Sequence, residues 1–414
     1  FGGLCNDFTT LCRTLDDVWE WDGADWHRAL YATTPSIRTG AAMAYDDVHA
    51  TAVMFGGQPN KLDQGFSLGP GMADTWLWDG SSWRLQLPAV SPPPRVLAAM
   101  AFDTARGRTV MFAGAGQSPL GFSLDDTWEW DGAAWTERHP ATRPPPHVGH
   151  AMAYDAARDR TVMVGDILAD GTLDQWQWDG TTWTSLAPAS RPPGRFSTAL
   201  AYDAERQKVV MFGGTGRPGL FGDTWEWDGT SWIDRSPASG PVPAPRVLHT
   251  LTYDPVRRRV VLFGGQAGTS SLNDVWEWDG TSWTTSLLVS PPLPREGHAM
   301  VYDAAHGDLV MFGGDDSFEF PGVFRDTWLL RYEDPARSRE ACDSGFDGDG
   351  DGKLGCEDPD CGALCARCGD AVCDAVESCR LCPGDCGTCH VCGDLQCDPG
   401  ETCSSCPGDC GPCP

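Results

Sequence analysis

The stretch that decides the fold is DTWEWDGTSW, residues 223–232. A second phrase precedes it in each full unit, and one copy reads ALAYD at 199–203, then a polar turn, then VVMFGG at 209–214. A period of about 50 residues is typical of propellers and other repeat arrays. The first tryptophan of the phrase occurs seven times, at intervals of 48 to 57 residues, as Trp19, Trp76, Trp128, Trp176, Trp225, Trp276 and Trp328.

Each full unit contains four strand candidates, which the copy at 199–232 illustrates. ALAYD and VVMF are short apolar runs, and DTWEW alternates polar and large apolar positions, as a strand does. The pair Asp228-Gly229 separates DTWEW from the strand that begins at Trp232, and an Asp-Gly pair favours a tight hairpin turn. Four short antiparallel strands, repeated along the chain, predict an all-β fold in the form of a β-propeller.

The repeats resemble kelch units, in the broad group that includes the propeller of galactose oxidase. The resemblance covers residues 1 to about 332 and consists of a basic opening residue, the Gly-Gly pair and a distal tryptophan. Two units replace the Gly-Gly pair with Ala113-Gly114 and Gly165-Asp166, and a tryptophan stands where kelch units usually have a tyrosine. The opening residues are Arg38, Arg95, His147, Arg195, Arg246 and Arg295.

The number of phrases predicts seven blades. Seven Gly-Gly-like ends and seven Trp strands are present, but only six strands end in Tyr-Asp or Phe-Asp. We therefore expect the first blade, which starts at Phe1, to lack its inner strands, and the last blade to lack its outer strand. An upstream segment of about 40 residues would supply both and close the ring, so we interpret the sequence as a mature or trimmed form.

The long loops are expected on one face of the propeller. The second-to-third and fourth-to-first connections are long and leave the same face of an up-and-down sheet, which makes that face the candidate binding face. The repeated strand tryptophans are interpreted as core between blades rather than as sugar-stacking residues. The loop phenylalanines either contact a ligand or pack within their own loops; they are Phe66, Phe122, Phe221, Phe318 and Phe320.

The sequence carries no recognisable catalytic constellation. Galactose oxidase-like proteins use copper and a tyrosine cross-linked to a cysteine, but the repeats contain no cysteine besides Cys5 and Cys12. His150, His249 and His298 recur at one repeat position and are interpreted as structural residues, not metal ligands. We therefore predict a protein that is not an enzyme, with a polysaccharide-active hydrolase or lyase that uses a loop-borne acid pair as the alternative.

Composition restricts the partners and the compartment. The net charge of -28 argues against a nucleic-acid partner, which requires a basic surface. Eighteen cysteines, sixteen of them between Cys342 and Cys413, indicate disulfides and an oxidising compartment. Cys5 is expected to pair with Cys12, since no other cysteine lies in the repeats. No apolar run is long enough to span a bilayer.

An acidic loop after the repeats predicts a calcium site. Residues 347–358 alternate carboxylates with glycines at first, in a pattern that can surround one hard cation with oxygen ligands. The loop resembles an EF-hand loop but ends in Asp rather than Glu and has no flanking helices; a solvated acidic linker is the alternative. The expected ligands are Asp347, Asp349, Asp351, the Lys353 carbonyl, and Glu357 or Asp358.

Residues 368–389 and 392–413 form a second repeat, in which six cysteines align. Segments this short need covalent or metal cross-links, and we favour disulfides over zinc. Cys386-Gly-Thr-Cys389-His390 matches a haem attachment pattern, but the second copy lacks the histidine, so we interpret His390 as a linker residue. Possible further metal ligands are the aligned acids Asp370, Asp374, Glu377, Asp385, Asp394, Asp398, Glu401 and Asp409.

Together the patterns predict three parts: a seven-bladed kelch-type propeller at 1–335, an Asp-rich calcium segment at 336–366 and two Cys-rich repeats at 367–414. The tail resembles modules of secreted bacterial surface proteins. We predict an extracellular or cell-surface binding protein whose cofactor is Ca²⁺ and whose partner is a protein or a glycan. A structural subunit of an extracellular assembly, including a homo-oligomer, is a further alternative.

Overall fold

The computed structural model describes residues 19–21, 26–28, 34–61, 71–116, 123–217, 219–286, 291–316 and 322–330. The chain divides into two units, Phe1–Leu330 and Arg331–Pro414, and the fold described below belongs to the first. Within the described ranges the secondary structure is entirely strand and turn, and none of it forms a helix that could cross a membrane.

The strands follow the repeat. In chain order the first ones are β1 (Trp19–Trp21), β2 (Trp26–Arg28), β3 (Ala42–Asp46), β4 (Thr51–Phe55), β5 (Thr75–Trp78), β6 (Trp83–Gln86), β7 (Arg95–Val96), β8 (Ala99–Asp103), β9 (Arg108–Phe112), β10 (Ala115–Gly116), β11 (Thr127–Trp130), β12 (Trp135–Arg138), β13 (Ala151–Asp155), β14 (Arg160–Ile167), β15 (Leu173–Trp178) and β16 (Trp183–Ser185). They continue with β17 (Arg195–Phe196), β18 (Ala199–Asp203), β19 (Lys208–Phe212), β20 (Thr215–Gly216), β21 (Thr224–Trp227), β22 (Trp232–Asp234), β23 (Thr250–Asp254), β24 (Arg259–Phe263), β25 (Gln266–Ala267), β26 (Ser270–Ser271), β27 (Val275–Trp278), β28 (Trp283–Ser286), β29 (Ala299–Asp303), β30 (Asp308–Phe312) and β31 (Thr327–Leu330).

The strands form six antiparallel blades. Blades 1 to 5 each have four strands, in the orders β3-β4-β5-β6, β8-β9-β11-β12, β13-β14-β15-β16, β18-β19-β21-β22 and β23-β24-β27-β28. Blade 6 has three strands in the described residues, β29-β30-β31. Each first strand alternates small side chains with larger ones, which suits the narrow axis of a propeller.

The predicted count of seven blades is wrong. The innermost strand of each blade packs against that of the next, and β29 of blade 6 packs directly against β3 of blade 1. In the described residues the incomplete first unit contributes β1 and β2, which pair with each other, and its sequence contains no phrase that could supply an inner strand. Counting Trp phrases overestimates the blades, since only the inner strands surround the axis.

Closure between blades 6 and 1 uses a contact that also joins four other pairs of neighbouring blades. The tryptophan that opens an outer strand donates its indole N–H to the third strand of the preceding blade. Trp83 of blade 1 makes this bond to Thr327 of blade 6 at 2.9 Å. The equivalent bonds are Trp135 to Thr75, Trp183 to Thr127, Trp232 to Gln175 and Trp283 to Thr224.

The core lies between the blades. One cluster joins Val310 and Phe312 of blade 6 to Trp76, Trp78 and Trp83 of blade 1. Four similar clusters join blades 1 and 2, 2 and 3, 3 and 4, and 4 and 5. The prediction that the repeated tryptophans are core residues is therefore confirmed. Burial of each large aromatic side chain contributes on the order of 2 kcal/mol, so the interfaces dominate stability.

The outer hairpin turn of blade 1 requires glycine for two reasons, its backbone conformation and a close neighbour. Gly80 has φ of 93°, and the ring of His306 in blade 6 occupies the position that a Cβ would take. Asp79 accepts hydrogen bonds from the backbone N–H groups of Ser81 and Ser82, which holds the turn closed. The turn thus serves both the hairpin and the contact between blades.

Candidate functional site

A closed ring of hydrogen bonds surrounds the propeller axis at the end where the long loops leave. One residue from each blade takes part, just before the inner strand begins, and all six have φ between 54° and 67°. The bonds run from Gly40 N–H to the Gly297 carbonyl, then from Gly297 to Leu248, Leu248 to Ser197, Ser197 to Gly149, Gly149 to Leu97 and Leu97 to Gly40, with N···O distances of 2.7 to 3.2 Å.

This ring contains backbone strain. Leu97, Ser197 and Leu248 adopt the left-handed conformation that side chains with a Cβ disfavour, at φ of 55°, 54° and 56°. Such residues persist where the surrounding structure fixes them, and here each is held by two ring hydrogen bonds. The ring is therefore a rigid rim for whatever lies on the axis.

The ring encloses a cavity of about 110 Å³. Each blade contributes its ring residue and the residue that follows. The second layer consists of Ala41, Ala98, His150, Thr198, His249 and His298. A concave site with a few converging polar groups is the usual form of a small-ligand site.

The three histidines of the second layer are wedged between blades. His150, His249 and His298 lie edge-on to the phenylalanine that ends the second strand of the preceding blade, with ring centroids 5.5, 5.6 and 5.2 Å apart. Each side chain thus fills an interface, which supports the structural role predicted for this position. The same rings also line the cavity, which the sequence did not indicate.

Burial lowers the pKa of His150 and His249 to about 3 and that of His298 well below its ordinary value. The positive charge of Arg246 adds to this for His249, and His147 adds to it for His150. The imidazoles are therefore neutral at physiological pH. Within the described residues, no group of three or more His, Cys, Asp or Glu side chains is arranged to hold a metal ion.

The basic residue that opens each unit has a structural role. Arg195 is fully buried and makes two hydrogen bonds to the Asp223 carboxylate at 2.5 and 2.8 Å, and a third to the Gly213 carbonyl. Asp223 also accepts the indole N–H of Trp225. The same network occurs around Arg38, Arg95, Arg246 and Arg295.

Phe221 is the one member of the predicted ligand face that lies among the described residues. Its ring is half-buried, and the guanidinium carbon of Arg195 lies 4.0 Å from the ring centroid. The structure therefore places Phe221 within its own blade, packed on the buried arginine. Phe66, Phe122, Phe318 and Phe320 lie outside the described residues.

Blade 3 departs from the common pattern. His147 replaces the arginine: its Nε2 lies 3.3 Å from Asp174 Oδ2, and its Nδ1 lies 2.6 Å from the Pro145 carbonyl. His147 makes these contacts with Asp174 and Pro145, whereas the arginines also bind a carbonyl at the end of the second strand. There β14 continues to Ile167 and pairs with Leu173 after a register shift. The connection to the third strand is consequently short in this blade.

A second polar group lies at the same end of the propeller, where blade 6 meets blades 1 and 5. Glu296, Asp315 and Asp316 are buried, at 4%, 1% and 6% exposure. Ser271 donates to Glu296 at 3.3 Å, and Lys61 pairs with Asp316 at 3.1 Å. Burial, followed by the Asp315 carboxylate, raises the pKa of Glu296 to about 8. Glu296 thus holds a proton at neutral pH.

Sequence reasoning missed this acidic group, although a signal was present. Glu296 stands just before a ring residue, where the other units have Thr39, Val96, Val148, Phe196 and Val247. A carboxylate at a mostly apolar repeat position is informative, because burying it raises the cost of ionisation. The predicted disulfide Cys5–Cys12, the calcium ligands of residues 347–358 and the acids of the Cys-rich repeats all lie outside the described residues.

Comparisons with known proteins support a β-propeller built from repeats. Residues 166–335 match the family model of the KLHDC2/KLHL20/DRC7 kelch-repeats domain. A solved structure titled "Structure of YjhT" is similar, with a TM-score of 0.55 and 14% identity, over 74% of this chain and 98% of that one. A search of curated proteins found no significant match. Residues 166–335 are thus similar to a kelch-repeats domain, and the described blades form a β-propeller.

Proposed function

We propose that this protein is an extracellular or cell-surface binding protein whose ligand, a protein or a glycan, docks on the long-loop end of the propeller over the axial cavity. The observation that carries the proposal is the cavity itself, built from two residues of each blade on a hydrogen-bonded rim. Binding sites on rigid scaffolds are commonly formed by loops at one end, where side chains can vary without disturbing the core.

The opposite end of the propeller offers less for recognition. Its first-to-second turns are short and are closed by local ion pairs, such as Arg106 with Asp103 and Arg158 with Asp155. Side chains engaged in such pairs lose contacts when a ligand displaces them. The acidic net charge of -28 also disfavours nucleic acid as the partner.

The experiment is a binding screen of the full chain against purified glycans and extracellular proteins, with two matched charge variants. Leu248→Glu places a carboxylate at the cavity rim, whereas Val48→Glu places one on an exposed turn of the opposite end, where Val48 is 63% exposed. We expect Leu248→Glu to weaken binding at least tenfold and Val48→Glu to leave it unchanged. Equal loss in both variants would place the ligand elsewhere.

We further propose that the acidic segment after the propeller binds Ca²⁺ through Asp347, Asp349, Asp351, the Lys353 carbonyl, and Glu357 or Asp358. Three carboxylates within five residues repel one another, and a bound cation converts that repulsion into attraction. Calcium should protect the tail from protease by mass action. The test is limited proteolysis with and without chelator, with calcium titration of wild type and Asp349→Ala; equal cleavage in both conditions contradicts the site.

One observation favours an enzymatic alternative, a polysaccharide-active hydrolase or lyase. Glu296, whose pKa burial raises to about 8, and Asp315 are two carboxyl groups in one cluster, and glycosidases use a pair of carboxyl groups that flank the scissile bond, one of them with a raised pKa. A turnover assay on a panel of polysaccharides separates the two functions. If the wild type is active and Glu296→Gln is at least a hundredfold less active, the protein is an enzyme and the proposed binding function is wrong.

A further inference from the structure

Blade 6 has a free outer edge in the described residues. In blades 1 to 5 the third strand pairs on its outer side with a strand that begins at tryptophan, as β5 pairs with β6. β31, the third strand of blade 6, pairs only with β30 among the described strands, and all four of its residues are half-buried. The four residues of β11 in blade 2 are all buried. A half-buried apolar strand with a free edge readily pairs with another strand.

The other blades show what kind of strand fits this edge. The last residue of their third strand is a buried tryptophan, whereas blade 6 has Leu330 there. In four of them the tryptophan that begins the outer strand packs on the phenylalanine that ends the second strand of the preceding blade. Trp83 lies on Phe312 in this way, with ring centroids 5.2 Å apart. Phe263 of blade 5 has the equivalent position toward blade 6. A strand that begins with tryptophan therefore matches the free edge.

The distribution of tryptophans leaves one candidate for that strand. Of the 19 tryptophans, three belong to each of blades 1 to 5, and blade 6 contains Trp328. None follows Trp328 in the chain, and the others belong to β1 and β2: Trp19, Trp21 and Trp26. β2 begins at Trp26, as the outer strands of blades 1 to 5 begin at a tryptophan.

The distance along the chain from β2 to blade 1 agrees with this assignment. Trp26 stands 12 residues before Arg38, which opens blade 1. The same interval leads from Trp83, in the outer strand of blade 1, to Arg95, which opens blade 2. It recurs between outer strand and next blade after Trp135, Trp183 and Trp283. β2 is therefore placed in the chain as the outer strand of the blade that precedes blade 1, and in the closed ring that is blade 6.

The contacts of Arg38 also connect this segment to blade 6. Arg95 lies on the blade that precedes its own, because its carbonyl accepts a hydrogen bond from Gly57 N–H of blade 1 at 2.9 Å. Arg38 lies on blade 6 in the same way: its carbonyl accepts from Gly314 N–H at 2.9 Å, and its N–H donates to the Phe324 carbonyl at 3.0 Å. The chain thus enters blade 1 from the long-loop end of blade 6, where an outer strand of blade 6 ends.

From these observations we infer that β2 pairs with the free edge of β31 as the outer strand of blade 6. The two strands are antiparallel, with Trp26 opposite Leu330, in the register that places Trp78 opposite Trp83 in blade 1. β2 pairs with β1 along one edge only, so its other edge is available and β1 becomes a fifth strand. The seventh Trp phrase then completes the sixth blade instead of forming a blade of its own.

The first test is disulfide trapping in the full chain. In the inferred register Leu329 lies opposite His27, and opposite residues of antiparallel strands have Cα atoms about 4.5–5.5 Å apart, which a disulfide can span. We expect Leu329→Cys with His27→Cys to form a bond within one chain. The matched control is Leu329→Cys with Glu20→Cys, since Glu20 pairs with His27 on β1 and lies one strand farther out. Its yield should be at least tenfold lower, by mass spectrometry of unreduced peptides.

The second test is hydrogen exchange of the β31 backbone amides. We expect exchange at least tenfold faster in Trp26→Ala than in wild type, because the outer edge of β31 loses its partner strand. Trp19→Ala, the same substitution on β1, should change the rate less than twofold. Equal exchange in wild type and Trp26→Ala overturns the inference.

Two trapping results also overturn it. A higher yield with Glu20→Cys than with His27→Cys assigns the edge to β1, and a bond between two chains assigns it to a second copy. Should Trp26→Ala fail to fold, absence of the bond between the Leu329→Cys and His27→Cys positions overturns the inference by itself.

Discussion

Arg195–Asp223 in blade 4 and Glu296–Asp315 in blade 6 are two buried carboxylate sites with opposite electrostatics. Arg195 is 0% exposed, and although burial alone raises the pKa of Asp223, its hydrogen bonds and the Arg195 charge lower it below its ordinary value. In blade 6 burial and a second carboxylate act in the same direction, so the pKa of Glu296 rises to about 8.

The difference shows that burial alone does not fix the state of an acidic group. A guanidinium in bidentate contact keeps a carboxylate ionised and makes it part of the scaffold. Burial, together with a neighbouring carboxylate, keeps the other acid protonated, at a cost to stability that grows as the pH rises. The arginine–aspartate pair occurs in five blades, so we interpret it as part of the scaffold. The glutamate–aspartate arrangement occurs once in the described residues, so we interpret it as a candidate functional group.

Arg195→Met should give the largest effect, because it leaves Asp223 partly buried without its counter-charge. We expect the free energy of unfolding to fall by about 3 kcal/mol. Urea unfolding at pH 7 measures it. Arg258→Met is the matched control: Arg258 pairs with Glu205 at the surface, with 65% and 54% exposure, and its loss should cost less than about 1 kcal/mol. Equal losses in the free energy of unfolding would mean that the buried pair stabilises the protein no more than the surface pair does.

Glu296→Gln should stabilise the protein, by on the order of 2–4 kcal/mol above pH 8. The folded-state pKa is raised from 4.5 to about 8, so the wild type is penalised progressively as the pH rises from 4.5 through 8. Lys61 opposes this shift and Asp316 adds to it. Denaturant unfolding from pH 4.5 to 9 should give a falling stability for the wild type and a flatter profile for the variant. Glu205→Gln, at an exposed position, should leave the wild-type profile unchanged.

His147 in blade 3 takes the place of the arginine beside a buried carboxylate, but unlike arginine it can lose its charge as the pH rises. Although burial alone lowers its pKa, the contacts with Asp174 and the Pro145 carbonyl raise it above the ordinary value. The stabilisation that protonated His147 contributes to the folded state is fully present below pH 6.5 and is lost as the pH rises through the folded-state pKa. His147→Gln should remove about 1 kcal/mol of pH-dependent stability.

The His147 measurement needs a background in which Glu296 does not titrate, because both groups change in overlapping pH ranges. Denaturant unfolding of Glu296→Gln, with and without His147→Gln, between pH 5.5 and 8.5 isolates the histidine. Asp166 and His150 also face this group and remain unchanged in both proteins. Identical pH profiles would show that the His147–Asp174 contact is electrostatically neutral.

Lys61→Met should give the smallest effect. Lys61 is one-third exposed, pairs with Asp316 and lowers the pKa of Glu296. Its removal should shift the Glu296 titration further upward and cost about 0.5 kcal/mol at pH 7. The titration can be followed by carbon-13 NMR of the glutamate side chains. Lys208→Met, on the second strand of blade 4, is the control and should leave the Glu296 titration in place.

Much of the propeller could be predicted from local sequence. The Asp-Gly turns, the Gly-Gly ends and the alternation in DTWEW fix where strands begin and end, because each depends on residues that are adjacent in the chain. The departure at Gly165-Asp166 was visible as well. Its consequence, an extended β14–β15 hairpin with a short connection, is seen only in the strand pairing of the folded chain.

The candidate site was predicted less completely. The sequence identified the long-loop face and the repeat position of His150, His249 and His298, but it gave no reason for these residues to surround a cavity. Residues about 50 positions apart meet only when the blades are arranged around an axis. Glu296 and Asp315 form an antiparallel backbone bridge, which no periodicity in the chain indicates.

The sequence by itself determined the class of fold, the strands of each unit and the interblade role of the tryptophans. Those features depend on side-chain volume and turn chemistry within one repeat. Only the tertiary structure decided that six blades close the ring, because closure depends on β29 packing against β3 and on the bond from Gly40 to Gly297. It also decided that neutral histidines and a protonated glutamate lie at the same end, since burial sets their pKa values and burial is a property of the closed ring.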